Sequence, residues 1–375
     1  MPGKGDEYIV VGGGAAGLGI AYQLARQGRR VRLLEAHTPG SGAMGASGGM
    51  LSPAFEAEYE EIPLFRAMTE SRRRYEAWAR DLGDIGYDLC GTYEVALLPE
   101  DMPYVRRRAE FVQAQGTKIE WLEGPALRRH LPMISPRISA GSYAPEEGQV
   151  DPLLLIHRLI EACERLGVQL EPHRPALAFH TDHGYPTVET PQGPLAAETI
   201  LVCVGVPLQG LSLPFEVYPV RGQMVSIEPP RPDWLPAPVR YFNRQYGYGY
   251  AIPKRDRILL GGTAEEKGLD RSLTVGGLLE ILRRAYHVFP DLYEARILST
   301  WAGLRPATRT RTPLIAEVSL PNGRLLYVNG LYRNGILLLP FLSEATTAYL
   351  LHNQLDPLLQ PFYKNLNDPT PPPLP

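Results

Sequence analysis

The alternation of apolar and polar positions divides this chain into recognisable elements. Tyr8-Ile-Val-Val11 is a short run of apolar, β-prone residues and predicts a buried strand. Ala15 to Gln27 predicts a helix, with Gly28 as its stop. Val31-Arg-Leu-Leu-Glu35 reads as a second strand. In Ile62 to Leu82, the residues Leu64, Met68, Ser71, Tyr75, Trp78 and Leu82 recur at steps of four and three, which makes one packed stripe on a long helix. Tyr87 to Leu98 predicts strand, Pro103 to Gln115 helix, and Gly141 to Val150 turn and strand. Asp151-Pro152 marks a helix start, with Asp as cap and Pro in the first turn; Gly167 ends that helix. Val168 to Glu171 and Thr199-Ile-Leu-Val-Cys-Val-Gly205 return to the short apolar strands of a parallel sheet. From Val217 to Thr263, spaced strands broken by turn residues predict an antiparallel sheet, with Tyr246, Tyr248 and Tyr250 sharing one strand face. Gly276 to Phe289 predicts helix, Leu325 to Val328 strand, and Gly335 to about Leu351 helix. The proline-rich tail from about Asp368 reads as disordered.

The glycines between the first two strands change this picture. Gly12, Gly14 and Gly17 form G-x-G-x-x-G at a strand-to-helix junction, and Glu35 closes the next strand 18 residues after Gly17. The first glycine makes the turn, the second admits a pyrophosphate, and the third lets helix and sheet pack. The carboxylate can accept hydrogen bonds from a ribose diol, so the ordered set predicts dinucleotide binding. Thr38 to Pro53 is a second loop of small residues, suited to lying against the same ligand, yet it carries Met44, Met50 and Leu51.

Composition narrows the function classes. The 375 residues carry a formal net charge of −3, which predicts no nucleic-acid or anionic-membrane partner. Arg72–Arg74 and Arg106–Arg108 read as solvated helix faces. Cys90, Cys163 and Cys203 show no metal or disulfide spacing and suit a reducing compartment. Asp6 and Glu7 abut the first apolar run, which argues against an export signal after Lys4, and no run reaches membrane-span length. The expectation is cytoplasmic. There is no hydrolase nucleophile motif, and the eight histidines lack metal-ligand spacing, so a cofactor must carry the chemistry. Two arginines stand out: Arg305 in Trp301-Ala-Gly-Leu-Arg-Pro306, read as just after a strand, and Arg333 in Asn329-Gly-Leu-Tyr-Arg-Asn-Gly335. Either can grip a carboxylate bidentately, and a structural ion pair is the alternative for Arg305.

The chain resembles the D-amino-acid oxidase superfamily of flavoenzymes, and within it the glycine oxidases of thiamine biosynthesis. The likeness rests on Gly12–Gly17 with Glu35, on Gly42–Pro53, on Gly148-Gln-Val-Asp-Pro152, and on Tyr218-Pro-Val-Arg-Gly-Gln-Met224. It continues through Tyr250-Ala-Ile-Pro253, Gly262-Thr-Ala-Glu-Glu266, Trp301–Pro306 and Tyr332-Arg-Asn-Gly-Ile336. It implies an α/β fold, α+β overall: a discontinuous Rossmann-like FAD-binding domain (1–85, 141–216 and 300–367) and a substrate domain with a mostly antiparallel sheet (86–140 and 217–299). It implies FAD as cofactor, contacted by Gly12, Gly14, Ala15, Ala16, Gly17, Glu35, Ala36, Ala43, Met44, Gly48, Gly49, Met50, Ala176 and Gly205. Leu331, Tyr332, Arg333, Asn334, Gly335, Ile336 and Leu337 complete that set. No cysteine follows Cys203, so the FAD should be non-covalent.

By the same resemblance, Arg305 holds the carboxylate of a small amino acid, Tyr250 hydrogen-bonds it, Arg333 shares the pocket, and no side chain serves as acid or base. The implied reaction is oxidative deamination of glycine, with sarcosine and D-alanine as alternatives, oxygen as acceptor and hydrogen peroxide as product. A dehydrogenase of the same fold, a non-catalytic flavin-binding partner and an NAD enzyme stay open, as does assembly into a homo-oligomer. Leu331 stands where the family often has histidine, and Ala316 where it usually has glycine.

Overall fold

The computed structural model describes residues 7–56, 59, 61–181, 184–245 and 247–368. Lys4, Asp6, Tyr246 and the proline-rich stretch 369–375 lie outside them. Two large sheets dominate. The first has seven strands in the order Tyr363–Asn365, Leu314–Leu320, Gly323–Asn329, Thr199–Val202, Tyr8–Val11, Val31–Leu34 and Gln169–Glu171. All its pairings are parallel except the hairpin of Leu314–Leu320 with Gly323–Asn329. Tyr8–Val11 lies between the second strand in sequence and Thr199–Val202, so strand order reverses there, and the crevice at the strands' carboxyl ends is where such sheets bind ligands.

The helices that cover this sheet follow from their caps and stripes. Ala15–Arg26 packs against Gly335–His352, where a Cβ on Gly19 would come 2.1 Å from Ser343 Oγ. Ile62–Leu82 buries the whole predicted stripe, Leu64 to Leu82. Pro152–Arg165 is capped as expected, Asp151 accepting from Leu153 N at 2.9 Å.

The second sheet has eight strands, in the order Ile297–Ala307, Tyr218–Ile227, Ile258–Gly261, Gly247–Pro253, Val239–Asn243, Thr92–Ala96, Ala140–Ala144 and Glu120–Glu123. It is antiparallel apart from Val239–Asn243 on Thr92–Ala96. Helix Val275–Val288 packs on it. Three sequence expectations shift. The boundaries at 141 and 300 fall inside Ala140–Ala144 and Ile297–Ala307, both hydrogen-bonded into this second sheet. Arg305 lies within Ile297–Ala307 rather than after a strand. Arg108 is not on a solvated face: helical periodicity turns it inward, 3.6 Å from the buried Glu94, while Arg106 and Arg107 stay outside. Among the described residues, no helix is long and apolar enough to cross a membrane.

Candidate active site

The main cavity runs between the two sheets. It starts at the carboxyl ends of the parallel strands, with Val11 to Ala16, Leu34 to His37 and Cys203 to Val206, and ends against the antiparallel sheet at Met224, Tyr250, Ile252 and Gly303 to Pro306. At the first end the glycine turn is built as the motif requires. A Cβ on Gly17 would stand 1.8 Å from Gly12 O, so the helix can cross this close to the turn only with glycine there. A Cβ on Gly14 would meet no protein atom within 4 Å. The protein's own packing therefore does not require that glycine, and the space beside it is open to a ligand. Gly14 also precedes Ala15–Arg26 without a side-chain cap, which leaves the helix N-terminal N–H groups for a phosphate. The residues present thus fit a dinucleotide.

Glu35 takes a second task besides any ribose contact. Its Oε2 accepts from Gly13 N at 2.7 Å and its Oε1 from His37 N at 2.8 Å. This clamps the glycine turn to the next loop, and a carboxylate retains lone pairs for a diol. The small-residue loop then runs between the sheets. Gly49 has φ +73°, and a Cβ there would lie 2.2 Å from Val150 O, while Trp301 Nε1 donates to Ala46 O at 3.1 Å. Several of its small residues thus serve sheet-to-sheet packing as well as the cavity.

Nearly every expected site residue lines the cavity: Gly12, Gly14, Ala15, Ala16, Glu35, Ala36, Ala43, Met44, Gly48, Gly49, Met50, Ala176, Gly205, Tyr250, Arg305, Leu331, Tyr332, Arg333, Gly335, Ile336 and Leu337. Gly17 and Asn334 stand behind it. Gly17 acts through the helix crossing, and the buried Asn334 precedes helix Gly335–His352 as its N-cap residue.

The far end shows how the second sheet places charge. The Arg305 guanidinium lies across Gly222, where a Cβ would come 2.2 Å from Nη2, and the Tyr250 ring lies across Gly261 at 2.4 Å. Both groups converge on Gly262: a Cβ there would be 3.1 Å from Tyr250 Oη and 3.3 Å from Arg305 Nη2. Arg305 Nη1 donates to Thr263 O at 2.9 Å. Thr263 is held in turn, since its Oγ1 donates to Glu265 Oε1 at 2.6 Å and Glu265 Oε2 accepts from Arg221 at 2.6 Å. That is the task of the Gly262–Glu266 segment. Among the described residues no carboxylate pairs with Arg305, so its charge faces the cavity beside the carbonyls of Arg221 and Thr263 and the Tyr250 hydroxyl. Burial raises the Tyr250 phenol above its ordinary range, against the pull of Arg305, and keeps it a neutral donor.

Two carboxylates of this region carry no local sequence signature. Glu56 lines the cavity and pairs with Arg333, its Oε2 3.1 Å from Nε. Glu147 is buried and accepts from Ser52 Oγ and, at 2.6 Å, from Ala54 N. It anchors the short helix Pro53–Glu56 that carries Glu56. The signals that could have found them are weak: an acid three residues after the loop's closing proline, and one before Gly148-Gln-Val-Asp-Pro152. Among the described residues no group of His, Cys, Asp and Glu could hold a metal ion.

Residues 7–349 match the family described as FAD dependent oxidoreductase, DAO. The chain is 32% identical to a glycine oxidase of Geobacillus kaustophilus, with 89% of this chain and 90% of the relative covered. It is 30% identical to a bifunctional ThiO/ThiG protein of Synechocystis over 95% of its own length, and spans about half of that relative, 53%. The crystal structure of glycine oxidase from Geobacillus kaustophilus superposes with a TM-score of 0.87 at 30% identity, covering 95% of this chain and 97% of that one. For glycine oxidase from Bacillus cereus the values are 0.85 and 27%, over 95% and 97%.

Proposed function

The chain belongs to the DAO family of FAD-dependent oxidoreductases, and on that premise we propose that it is an FAD-dependent amino-acid oxidase with glycine as its first substrate. Sarcosine and D-alanine are the nearest alternatives. The observation that carries the reading is the pairing of Arg305 and Tyr250 at the end of a dinucleotide cradle: a guanidinium without a carboxylate partner among the described residues, beside a neutral phenol. This is the recognition set for one small carboxylate.

FAD, when bound, would supply the two-electron acceptor, and Gly12 to Ala16, Glu35, the small-residue loop and Leu331 to Leu337 would hold it. Arg305 and Tyr250 fix the substrate carboxylate, so the Cα–N unit is presented in one orientation. Apolar walls from Met50, Met224, Ile252 and Leu331 keep water from the reacting atoms. Two electrons and two protons leave the Cα–N unit, and water hydrolyses the resulting imine to the oxo acid and ammonia. Oxygen receives the electrons and protons and departs as hydrogen peroxide. The relatives named for thiamine synthesis support a role in supplying that route. Its three cysteines are free thiols, which suits a cytoplasmic setting.

The test is the visible spectrum of the purified protein. A yellow protein that bleaches with anaerobic glycine and yields peroxide when air returns supports the reading. Bleaching without peroxide, while an artificial acceptor is reduced, would move it to a dehydrogenase. Arg305→Ala should raise the glycine KM roughly 100-fold or more while leaving the yellow spectrum intact, because it removes one partner of a desolvated charge pair. A folded Arg305→Ala protein without FAD would contradict the assignment.

A further inference from the structure

A zwitterionic substrate presents a cation as well as an anion, and the cavity answers both. Its lining carboxylates among the described residues are Glu35 and Glu56. Glu35 stands at the glycine turn with both oxygens on backbone N–H groups. Glu56 stands at the end shared by Arg333, Tyr250 and Arg305. Its Oε2 faces Arg333 Nε at 3.1 Å, and its Oε1 accepts no hydrogen bond from a described residue. The backbone that carries it is held twice. Glu147 accepts from Ala54 N at 2.6 Å, and Arg108 Nη1 donates to Phe55 O at 3.3 Å. A carboxylate on a backbone fixed this firmly, lining the pocket with no hydrogen-bond donor on its oxygens among the described residues, is a preformed acceptor for N–H donors.

We infer that Glu56 recognises the substrate's amino group, so that Arg305 reads the acid end and Glu56 the amine end of the same small molecule. This rests on the amino-acid reading above. It explains why a guanidinium as close to the pocket as Arg333 need not make the site a dicarboxylate binder: Glu56 offsets its charge. Glu56 is then the residue that separates amino acids from simple acids of equal size.

The experiment compares two ligands of nearly identical shape, neither of which can be oxidised at Cα. These are 2-aminoisobutyrate and pivalate, which has a methyl group in place of the amine. Each is titrated into the FAD-loaded enzyme and followed by the flavin difference spectrum. Wild type should bind 2-aminoisobutyrate at least tenfold more tightly than pivalate. Glu56→Gln should remove that preference while leaving the pivalate Kd within about twofold, and Glu56→Asp should restore part of it. Equal loss of both ligands in Glu56→Gln would overturn the inference and make Glu56 a structural partner of Arg333. A wild type without preference would overturn it as well. The binding readout needs no turnover. A preference that depends on Glu56 in a protein that glycine fails to bleach would sink the oxidase reading and keep this one; bleaching without the preference would do the reverse.

Discussion

A carboxyl group deprived of water keeps its proton, and Glu147 is in that position. Burial raises it to about 8, against the lowering effect of its hydrogen bonds from Ser52 and Ala54 and of Arg72 on the long helix, while Glu56 raises it further. An unfolded glutamate has given up its proton well below that pH. Between about 4.5 and 8 the folded state therefore binds more protons than the unfolded one, and this group's contribution to stability falls as pH rises through that window. Glu147→Gln keeps an acceptor for Ala54 N and a donor for Ser52 Oγ without a charge to ionise. Denaturant titrations should show its stability changing less than that of wild type from pH 5 to 8, and a gain on the order of a few kcal/mol relative to wild type at pH 8. An unchanged slope would show that Glu147 stays ionised throughout. Arg305 was legible because it sits in a short, distinctive run. Glu147 and Glu56 were not, because what a carboxylate does here depends on partners more than 90 residues away, or on a loop from the far end of the chain. Arg108 was misjudged for the same reason: its inward turn has meaning only beside Glu94.

Along the second sheet, register assembles a row that no single segment displays. Ser142, Glu94, Arg240, Tyr250, Gly261, Met224 and Trp301 are successive cross-strand partners. Glu94 is fully buried and lies 3.6 Å from both Arg240 and Arg108. Arg240 also covers the Tyr248 ring at 3.8 Å. Two buried guanidinium groups share this one carboxylate, so Glu94→Gln leaves them without it. The expected loss is about 3–5 kcal/mol, read as a lower urea midpoint with an unchanged m-value. At this scale the sequence was most readable. The helix over 62–82 and the cap at Asp151 appear where the pattern places them, because local periodicity and capping decide both. The strand through Arg305 runs further than the sequence pattern places it, to Ala307. Ile297–Ala307 is an edge strand, where proline's missing N–H leaves no ladder position empty.

Across the whole molecule, Lys254 ties the second sheet to the segment that leads into the helix at Pro152. It follows strand Gly247–Pro253, and its Nζ donates to Val150 O at 2.6 Å and to Gln149 Oε1 at 2.9 Å, just before the helix that starts at Pro152. Arg257 reaches Asp151 Oδ2 at 2.9 Å beside it. Burial lowers the Lys254 ammonium to about 7, partly opposed by Asp151. Above that pH the unfolded chain binds more protons at this position than the folded one, so stability should rise from pH 7 to 9. Lys254→Met should lack that rise in urea titrations, and a variant that retains it would assign the rise to another group. That Thr199–Val202 shares one sheet with Tyr8–Val11 was legible from the return of short apolar strands after residue 150. Its borders were not, because sheet membership is fixed by hydrogen bonds to distant strands rather than by composition.

The cavity wall also has a chronology. One side is laid down by residues 11 to 50, and the other by residues 303 to 337. A nascent chain that has emerged only to residue 300 presents the glycine turn without Arg305 or the Leu331–Leu337 segment opposite it. The cavity therefore closes only once residues 303 to 337 have joined residues 11 to 50. Until then the first strands and helix lack Gly335–His352, the helix that packs beside Ala15–Arg26, and their apolar faces are left to whatever chaperone meets them.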